Sequence, residues 1–385
     1  MQQSMSTGHG IVLARLVGLP AGAILLAAVA IGRADAQSGE SRYDTLWDRA
    51  SVYSGDSDSL LRSVTLSGRF QVDQAYVDSG EETHSETNLR RMRLGAKVQF
   101  RDDWLFHAEA EYDPQDGEPV YQRLTDAYVA WSLSDAVELT VGKHGAPFTM
   151  DGMTSSKELI AIDRSNLTNN IWFTEEYIPG ASVEGEVGRW QYHAGFYSSG
   201  SKNRGFGDSD GGEFMLGTVR YDFAERLGAD EALLSLNLVD NDPDPNNGFT
   251  RPLENVASVT FAFKSGAWNV RSDLSTAQGY LGQSDLEGFM IMPFYDLSDS
   301  VQLVARYTYI DSDDANGIRF GRYESEIESG RGDEYHEAYL GMNYYWYGHK
   351  LKLQTGLQYA DMRDRAGDGG AYTGWSWTTG FRISW

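Results

Sequence analysis

From Arg62 to Trp385 the sequence keeps one rhythm: strand-like segments of about ten residues are joined by links that are alternately very short and long. The segments fall near 62–73, 87–100, 103–113, 122–132, 136–143, 181–187, 189–198 and 212–223. They continue near 231–240, 256–264, 267–275, 288–295, 300–310, 335–347, 349–360 and 372–385. Arg101-Asp102, Ser134-Asp135, Gly188, Ser265-Gly266, Ser298-Asp299 and Gly348 are tight joints. The links at 77–86, 114–121, 144–180, 199–211, 241–255, 276–287, 311–334 and 361–371 are long. If the first strand starts on the inner side, every short joint falls inside and every long loop outside. That asymmetry predicts an all-β fold: a transmembrane antiparallel β-barrel of about 16 strands, with short periplasmic turns and long outer loops.

Side-chain parity within the segments supplies two different solvents. In 87–100, Met92, Leu94, Ala96, Val98 and Phe100 share one face, and Arg91, Arg93, Lys97 and Gln99 share the other. In 103–113, Trp104, Phe106, Ala108, Ala110 and Tyr112 oppose His107, Glu109, Glu111 and Asp113. In 349–360, Leu351, Leu353, Leu357 and Tyr359 oppose Lys350, Lys352, Gln354 and Gln358. A packed soluble core cannot be so consistently charged on its second face, whereas a water-filled lumen can. Trp131, Tyr344, Tyr345, Trp346, Tyr347 and Trp375 crowd the segment ends, as an interfacial girdle requires. The last stretch places Trp375, Trp377, Thr379, Phe381, Ile383 and Trp385 on one face, with Ser376, Thr378, Gly380, Arg382 and Ser384 on the other. An aromatic face on an open edge invites aggregation, and closure of the barrel in lipid removes that edge. This strand resembles the signal by which the barrel-assembly machinery recognises outer-membrane proteins, so that machinery is an expected partner through Trp385.

The first 36 residues read as an address. Leu16 to Ile31 is an apolar block preceded by Arg15 and followed by Ala34-Asp35-Ala36, the pattern of a cleaved secretory signal. Cleavage is expected after Ala36, giving export to the outer membrane and contact with its lipid. Residues 37–61 read as a polar periplasmic lead-in with room for one helical turn, and 62–385 as the barrel domain. Loss of Arg15, Arg33 and Asp35 would move the formal charge from −24 to −25. Such acidity argues against nucleic-acid binding by the surface as a whole. The absence of cysteine rules out disulfides and thiolate metal sites. The histidines show no metal-ligand spacing, and Asp240–Asp244 and Asp311–Asp314 lack a complete calcium-loop pattern. No metal or other cofactor is expected. Ser, His and Asp are all present, but no spacing selects a catalytic set, so no enzyme is expected.

Several stretches carry a resemblance to a known family. Arg90-Arg91-Met92-Arg93-Leu94-Gly95, Glu111-Tyr112-Asp113, Asp126-Ala127-Tyr128 and the block Val141 to Ser165 resemble the phosphate-selective porin O and P family. Gly341 to Trp346 and Leu351 to Gln354 are similar to it as well. The resemblance implies a homotrimeric, sixteen-stranded outer-membrane channel whose third outer loop folds inward to narrow the pore. In this chain that constriction loop corresponds to 144–180. It also implies that Ser155, Ser156 and Arg164 line an anion-binding constriction, that Arg91 and Arg93 line the wall, and that Asp126 is an acidic wall residue. Parity adds Lys97 to the inward set and places Arg90 at the rim or on the outer face.

An arginine offers a planar fork of donors suited to phosphate or carboxylate oxygens, and serine hydroxyls can add donors. The alternative for the strand arginines is salt bridging within the lumen, with Arg91 or Arg93 facing Glu109 or Glu111. The chain also departs from a dense basic ladder: Arg69, Arg220, Lys264, Arg271, Arg306 and Arg382 are spread singly, and Glu109, Glu111 and Glu184 share their side. Three functions therefore stand side by side. The first is a diffusion channel for small hydrophilic solutes that favours anions such as phosphate. The second is a general, weakly selective or cation-favouring porin. The third is a structural or adhesive barrel with a closed lumen.

Overall fold

The computed structural model describes residues 42–115, 117–172, 177–200, 205–247 and 250–385. The expected signal, 1–36, lies outside the described residues. The lead-in contains a short helix, Arg42–Trp47, a single 3-10 turn, Asp48–Ala50, and a four-residue strand, β1 (Ser51–Ser54).

The barrel strands follow in chain order. The first eight are β2 (Leu61–Asp78), β3 (Thr83–Phe100), β4 (Trp104–Tyr112), β5 (Tyr121–Ser134), β6 (Val137–Gly145), β7 (Tyr177–Val187), β8 (Trp190–Ser198) and β9 (Glu213–Asp222). The second eight are β10 (Glu231–Asn241), β11 (Leu253–Ser265), β12 (Trp268–Gly279), β13 (Leu286–Ser298), β14 (Val301–Ser312), β15 (Glu334–Tyr347), β16 (Leu351–Arg363) and β17 (Tyr372–Ser384). Each pairs antiparallel with its neighbours, and β17 closes on β2 from Trp375↔Asp78 to Ser384↔Arg69. The result is the expected sixteen-stranded closed barrel, with no free edge along its ladder. Where β17 ends, β1 takes over the β2 edge, pairing Ser51 with Thr65 and Ser54 with Ser63.

Short turns and long links segregate to opposite ends as the sequence predicts. The turn between β9 and β10 is the least compact of the short ones, holding one helical turn (Ala224–Leu227) ended by Gly228 at φ 61°. One outer link is shorter than expected. The stretch 77–86 is almost all strand, leaving only 79–82 between β2 and β3. At that end the outward face carries Gln74, Ser85 and Thr87 and is no longer apolar throughout.

The two faces divide as parity requires. On β10, Leu234, Leu236 and Leu238 are exposed to the outside, whereas Ser235 and Asn237 are buried within. The C-terminal strand exposes Trp375 and Phe381 and buries Thr378, Arg382 and Ser384. Trp104 stacks on Trp131 at 5.0 Å, and Trp268 meets Tyr295 at 4.7 Å, both beside the short turns. These pairs form one aromatic girdle. On the outer face the ring of Trp385 lies over Gly68, where a Cβ would come within 2.5 Å of it. Only glycine leaves room there for the last aromatic residue.

The interior is not uniformly wet. Inward residues of one side of the wall, among them Phe214, Leu216, Val239, Val256, Met290 and Ile310, form an apolar cluster with Phe148, Ile162, Leu167 and Ile171. The last four belong to the link between β6 and β7, which therefore lies inside the barrel. Burial of each such side chain is worth about 1.5–3 kcal/mol. The loop is thus seated on apolar wall residues.

Candidate functional site

The loop that leaves β6 at Gly145 crosses the lumen and is fixed by wall residues from many strands. Met150 N donates to Asp273 Oδ2 of β12 at 3.1 Å. Arg69 donates to Ser156 Oγ at 2.5 Å, and Gln71 Nε2 donates to Ser156 O at 2.9 Å, both from β2. Lys352 Nζ reaches Leu159 O at 2.7 Å, Asn343 reaches Ile160 O at 2.8 Å, and Arg306 reaches Asp163 O at 2.7 Å. Buried wall donors thus satisfy carbonyls of a segment that makes no ladder of its own. Local caps shape it further. Thr149 Oγ1 accepts from Gly152 N, and Ser165 Oγ accepts from Thr168 N to start the helix Asn166–Ile171.

The candidate residues occupy distinct places. Ser156 is buried and engaged by Arg69 and Gln71, whereas Ser155 is exposed and its hydroxyl oxygen accepts from Lys157 N at 3.3 Å. Arg164 donates to Asp151 O and Thr154 O, each at 2.9 Å, and its guanidinium lies 4.6 Å from the centre of the Trp172 ring. Arg91 is buried and donates to Gln71 Oε1 at 3.0 Å. Arg93 is fully buried, 3.3 Å from Glu111 Oε2 and 2.7 Å from the Tyr177 hydroxyl. Lys97 is exposed on the inward parity, opposite His107 of β4. Asp126 is buried with an oxygen 3.7 Å from His107 Nδ1.

Two cavities meet at the loop. The first, about 180 Å³, is lined by Arg90, Arg91, Arg164, Arg306 and Arg322 together with Asp163, Glu324 and Glu337. The second, about 350 Å³, is lined by Asp126, Glu138, His144, Ser155, Ser156, Glu184 and His193. Arg164 and Trp172 line both, so this stacked pair is the partition between them. Ser155, Ser156 and Asp126 come together on one side of it, and Arg91 lies on the other. Arg93 and Lys97 line neither cavity.

Arg90 corrects the sequence reading. It lines the first cavity rather than the rim or the outer face, with Nε 3.6 Å from Asp163 Oδ1. The cause is a β-bulge: Gln71 pairs with Arg91 and Val72 with Leu89, leaving Arg90 as the extra residue. A bulge shifts parity locally, so Arg90 and Arg91 can both turn inward.

Many inward arginines are held by acids. Arg69 pairs with Glu109 at 3.0 Å, Arg123 with Glu111 at 2.8 Å, Arg306 with Glu337 at 2.7 Å and Arg382 with Asp73 at 2.5 Å. Burial works against the Asp163 carboxylate, yet Arg90, Arg91, Arg382 and Arg322 together hold it below the usual range. Lys157 is pushed down to about 8 by burial and then by Arg69.

A second outer loop, 313–333, also enters the site, which the sequence reading missed. Ile318 and Tyr323 are buried, the Tyr323 hydroxyl donates to Asp73 Oδ2 at 3.1 Å, and Asn166 Nδ2 donates to Arg319 O at 2.9 Å. The signal was its apolar content, Ile318, Phe320, Tyr323 and Ile327, inside a loop otherwise read as solvated acid. An antiparallel bridge, Ile318↔Gly332, brings Arg319 and Arg331 opposite each other. Burial, then the like charges of Arg251 and Arg331, work against the Arg319 cation.

Ser67, His107 and Asp126 also gather on the wall, but not as a hydrolytic triad. The Ser67 hydroxyl donates to Glu109 Oε2 at 3.2 Å, so His107 Nε2, 3.2 Å away, is left to donate to Ser67 Oγ and not to accept from it. His107 Nδ1 is 3.7 Å from Asp126, beyond a hydrogen bond. Among the described residues no group of three His, Cys, Asp or Glu side chains is placed to hold a metal ion.

A closed barrel with apolar outside, charged inside and a loop seated in its lumen defines an outer-membrane porin. Residues 64–230 match the sequence model of the phosphate-selective porin O and P family. Solved structures share the fold at low identity. Pseudomonas putida OprB aligns at TM-score 0.63 and 12% identity over 84% of this chain and 94% of its own. The outer membrane channel DcaP of Acinetobacter baumannii aligns at 0.56 and 14%, over 87% of this chain and 100% of its own. Salmonella typhi OmpF, solved with daunomycin, aligns at 0.56 and 12%, over 84% of this chain and 98% of its own. No curated protein matches the chain.

Proposed function

We propose that this porin passes small hydrophilic solutes and favours anions, with the loop inside 144–180 as the constriction and Arg164 at its narrowest point. The observation that carries the reading is the Arg164–Trp172 partition between a cavity rich in arginine and one lined by Ser155 and Ser156. Arg251, Arg319 and Arg331 belong to outer loops, Arg90, Arg91 and Arg322 line the arginine-rich cavity, and Lys97 and Lys157 are near enough to each other to repel. A graded series of cations replaces part of an ion's hydration while holding it weakly enough for release. The paired acids dilute that field, which supports a preference among small anions more than strict selectivity for phosphate. Homotrimer formation, signal cleavage near Ala36, recognition of the Trp385 strand by the assembly machinery and the lack of enzymatic activity belong to the same reading, on the strength of the family. The test is the reversal potential of the purified protein in a planar bilayer under a potassium chloride gradient. Arg164→Ala is expected to lower the anion-to-cation permeability ratio by roughly two- to fivefold. An unchanged ratio would remove Arg164 from the path, and a cation preference in the unaltered protein would favour the general porin.

A further inference from the structure

Three carboxylates line the arginine-rich cavity, and they are not alike. Glu337 is paired with Arg306 at 2.7 Å, and Asp163 lies 3.6 Å from Arg90. Glu324, although only 2% exposed, makes no ion pair among the described residues. Its carboxylate is held by neutral donors: Gly321 N at 2.7 Å, Gln358 Nε2 at 2.7 Å and the Tyr335 hydroxyl at 3.1 Å. These come from its own loop, from β16 and from β15, so three elements fix one carboxylate at the wall of the cavity. A charge consumed in a pair projects little field, whereas an unpaired one in a narrow, weakly hydrated space projects much more.

We infer that Glu324 sets the strength of anion preference in this porin, as a negative charge that no basic side chain neutralises. The inference rests on the channel reading above. The groups around Glu324 are Arg322 and Tyr323 of its own loop, Tyr335 and Glu337 of β15, Gln358 of β16, Arg306 of β14, Asp163 and Arg164 of the inner loop, and Arg90 and Arg91 of β3. Tyr372 of β17 also senses its charge. Burial, then the like charge of Glu337, push the Glu324 carboxyl up to about 7, against the three hydrogen bonds that favour its ionised form. A raised value means that the group is neutral below that pH and charged above it. Acidification therefore removes a negative charge from the cavity and strengthens anion preference; alkalinisation restores the charge and weakens it.

The experiment is the reversal potential of the full-length protein in potassium chloride gradients at pH 5.5 and pH 7.5, below the value at which Lys157 loses half its charge. The anion-to-cation ratio is expected to be about threefold higher at pH 5.5. Glu324→Gln should sit near the acid value at both pH values, and Glu326→Gln, an exposed neighbour, should behave as the unaltered protein. Gln358→Leu provides a second, independent variant: loss of a donor to the charged form should move the midpoint upward. Retention of the full pH dependence in Glu324→Gln would overturn the inference. A cation preference at both pH values, still shifting in the unaltered protein and flat in Glu324→Gln, would sink the anion-channel reading while leaving the role of Glu324 standing.

Discussion

Replacing Met150–Trp172 with a short glycine-serine linker will raise single-channel conductance at least roughly twofold and abolish most ion preference. The segment fills the lumen by two means, and both vanish together. Its apolar side rests on the apolar patch of the inner wall through Ile162, Leu167 and Ile171. Its carbonyls take donors from Lys352, Gln354, Asn343 and Arg306. Once it is removed, those donors face water, which satisfies them at little cost, so the barrel itself should survive. Barrel integrity is checked by heat-dependent mobility on a gel, and conductance by single-channel steps in potassium chloride. A variant that folds and conducts no more than the unaltered protein would mean that the loop does not limit passage.

Glu337→Ala will destabilise the barrel by about 3 kcal/mol or more, because it leaves a nearly buried guanidinium without its charged partner. Arg306 and Glu337 are only 3% and 2% exposed, and Glu337 Oε1 also accepts from Thr308 Oγ1 at 3.0 Å. The remaining partners of Arg306 are the Asp163 carbonyl and the face of Tyr339, 5.2 Å from the guanidinium carbon, and neither carries a formal charge. Unfolding by urea from lipid vesicles measures the loss. The double substitution Arg306→Met with Glu337→Ala should recover much of it, since the uncompensated charge is then gone. A loss below about 1 kcal/mol would show that water reaches the pair after all.

Strand order and the direction of every transmembrane face were legible because lipid and water impose opposite demands on successive residues. The legible part ended where that contrast weakens. At the outer ends of β2 and β3 the outward face is no longer apolar throughout, as Gln74, Ser85 and Thr87 show, so strand reads as loop. At Arg90 a single inserted residue reverses the parity that placed its neighbours. The inner apolar patch was visible in principle. Phe214-Met215-Leu216 and Phe289-Met290-Ile291-Met292 are apolar on both parities, which lipid alone does not require. Such runs mark wall that receives a loop. The family resemblance singled out Ser156 and Arg164, but not their partners. Arg69 reaches Ser156 from 87 residues away, and Arg164 spends its donors on carbonyls of its own loop. Glu324 was hidden for a related reason: charge composition describes a loop as solvated, and only packing shows that it turns inward.

Water inside and hydrocarbon outside are told apart by one pair of substitutions. The chain has no cysteine, so a single introduced thiol is an unambiguous reporter. Leu94 and Lys97 are both exposed on β3 but on opposite faces. In protein reconstituted into vesicles, Lys97→Cys is expected to react with a water-soluble, charged thiol reagent, and Leu94→Cys to be shielded from it. A fluorophore attached at position 94 before reconstitution should be quenched by a lipid-borne quencher, and one at position 97 should not. Reagent reaching the thiol at position 94 while lipid quenches the probe at position 97 would contradict the channel at its foundation.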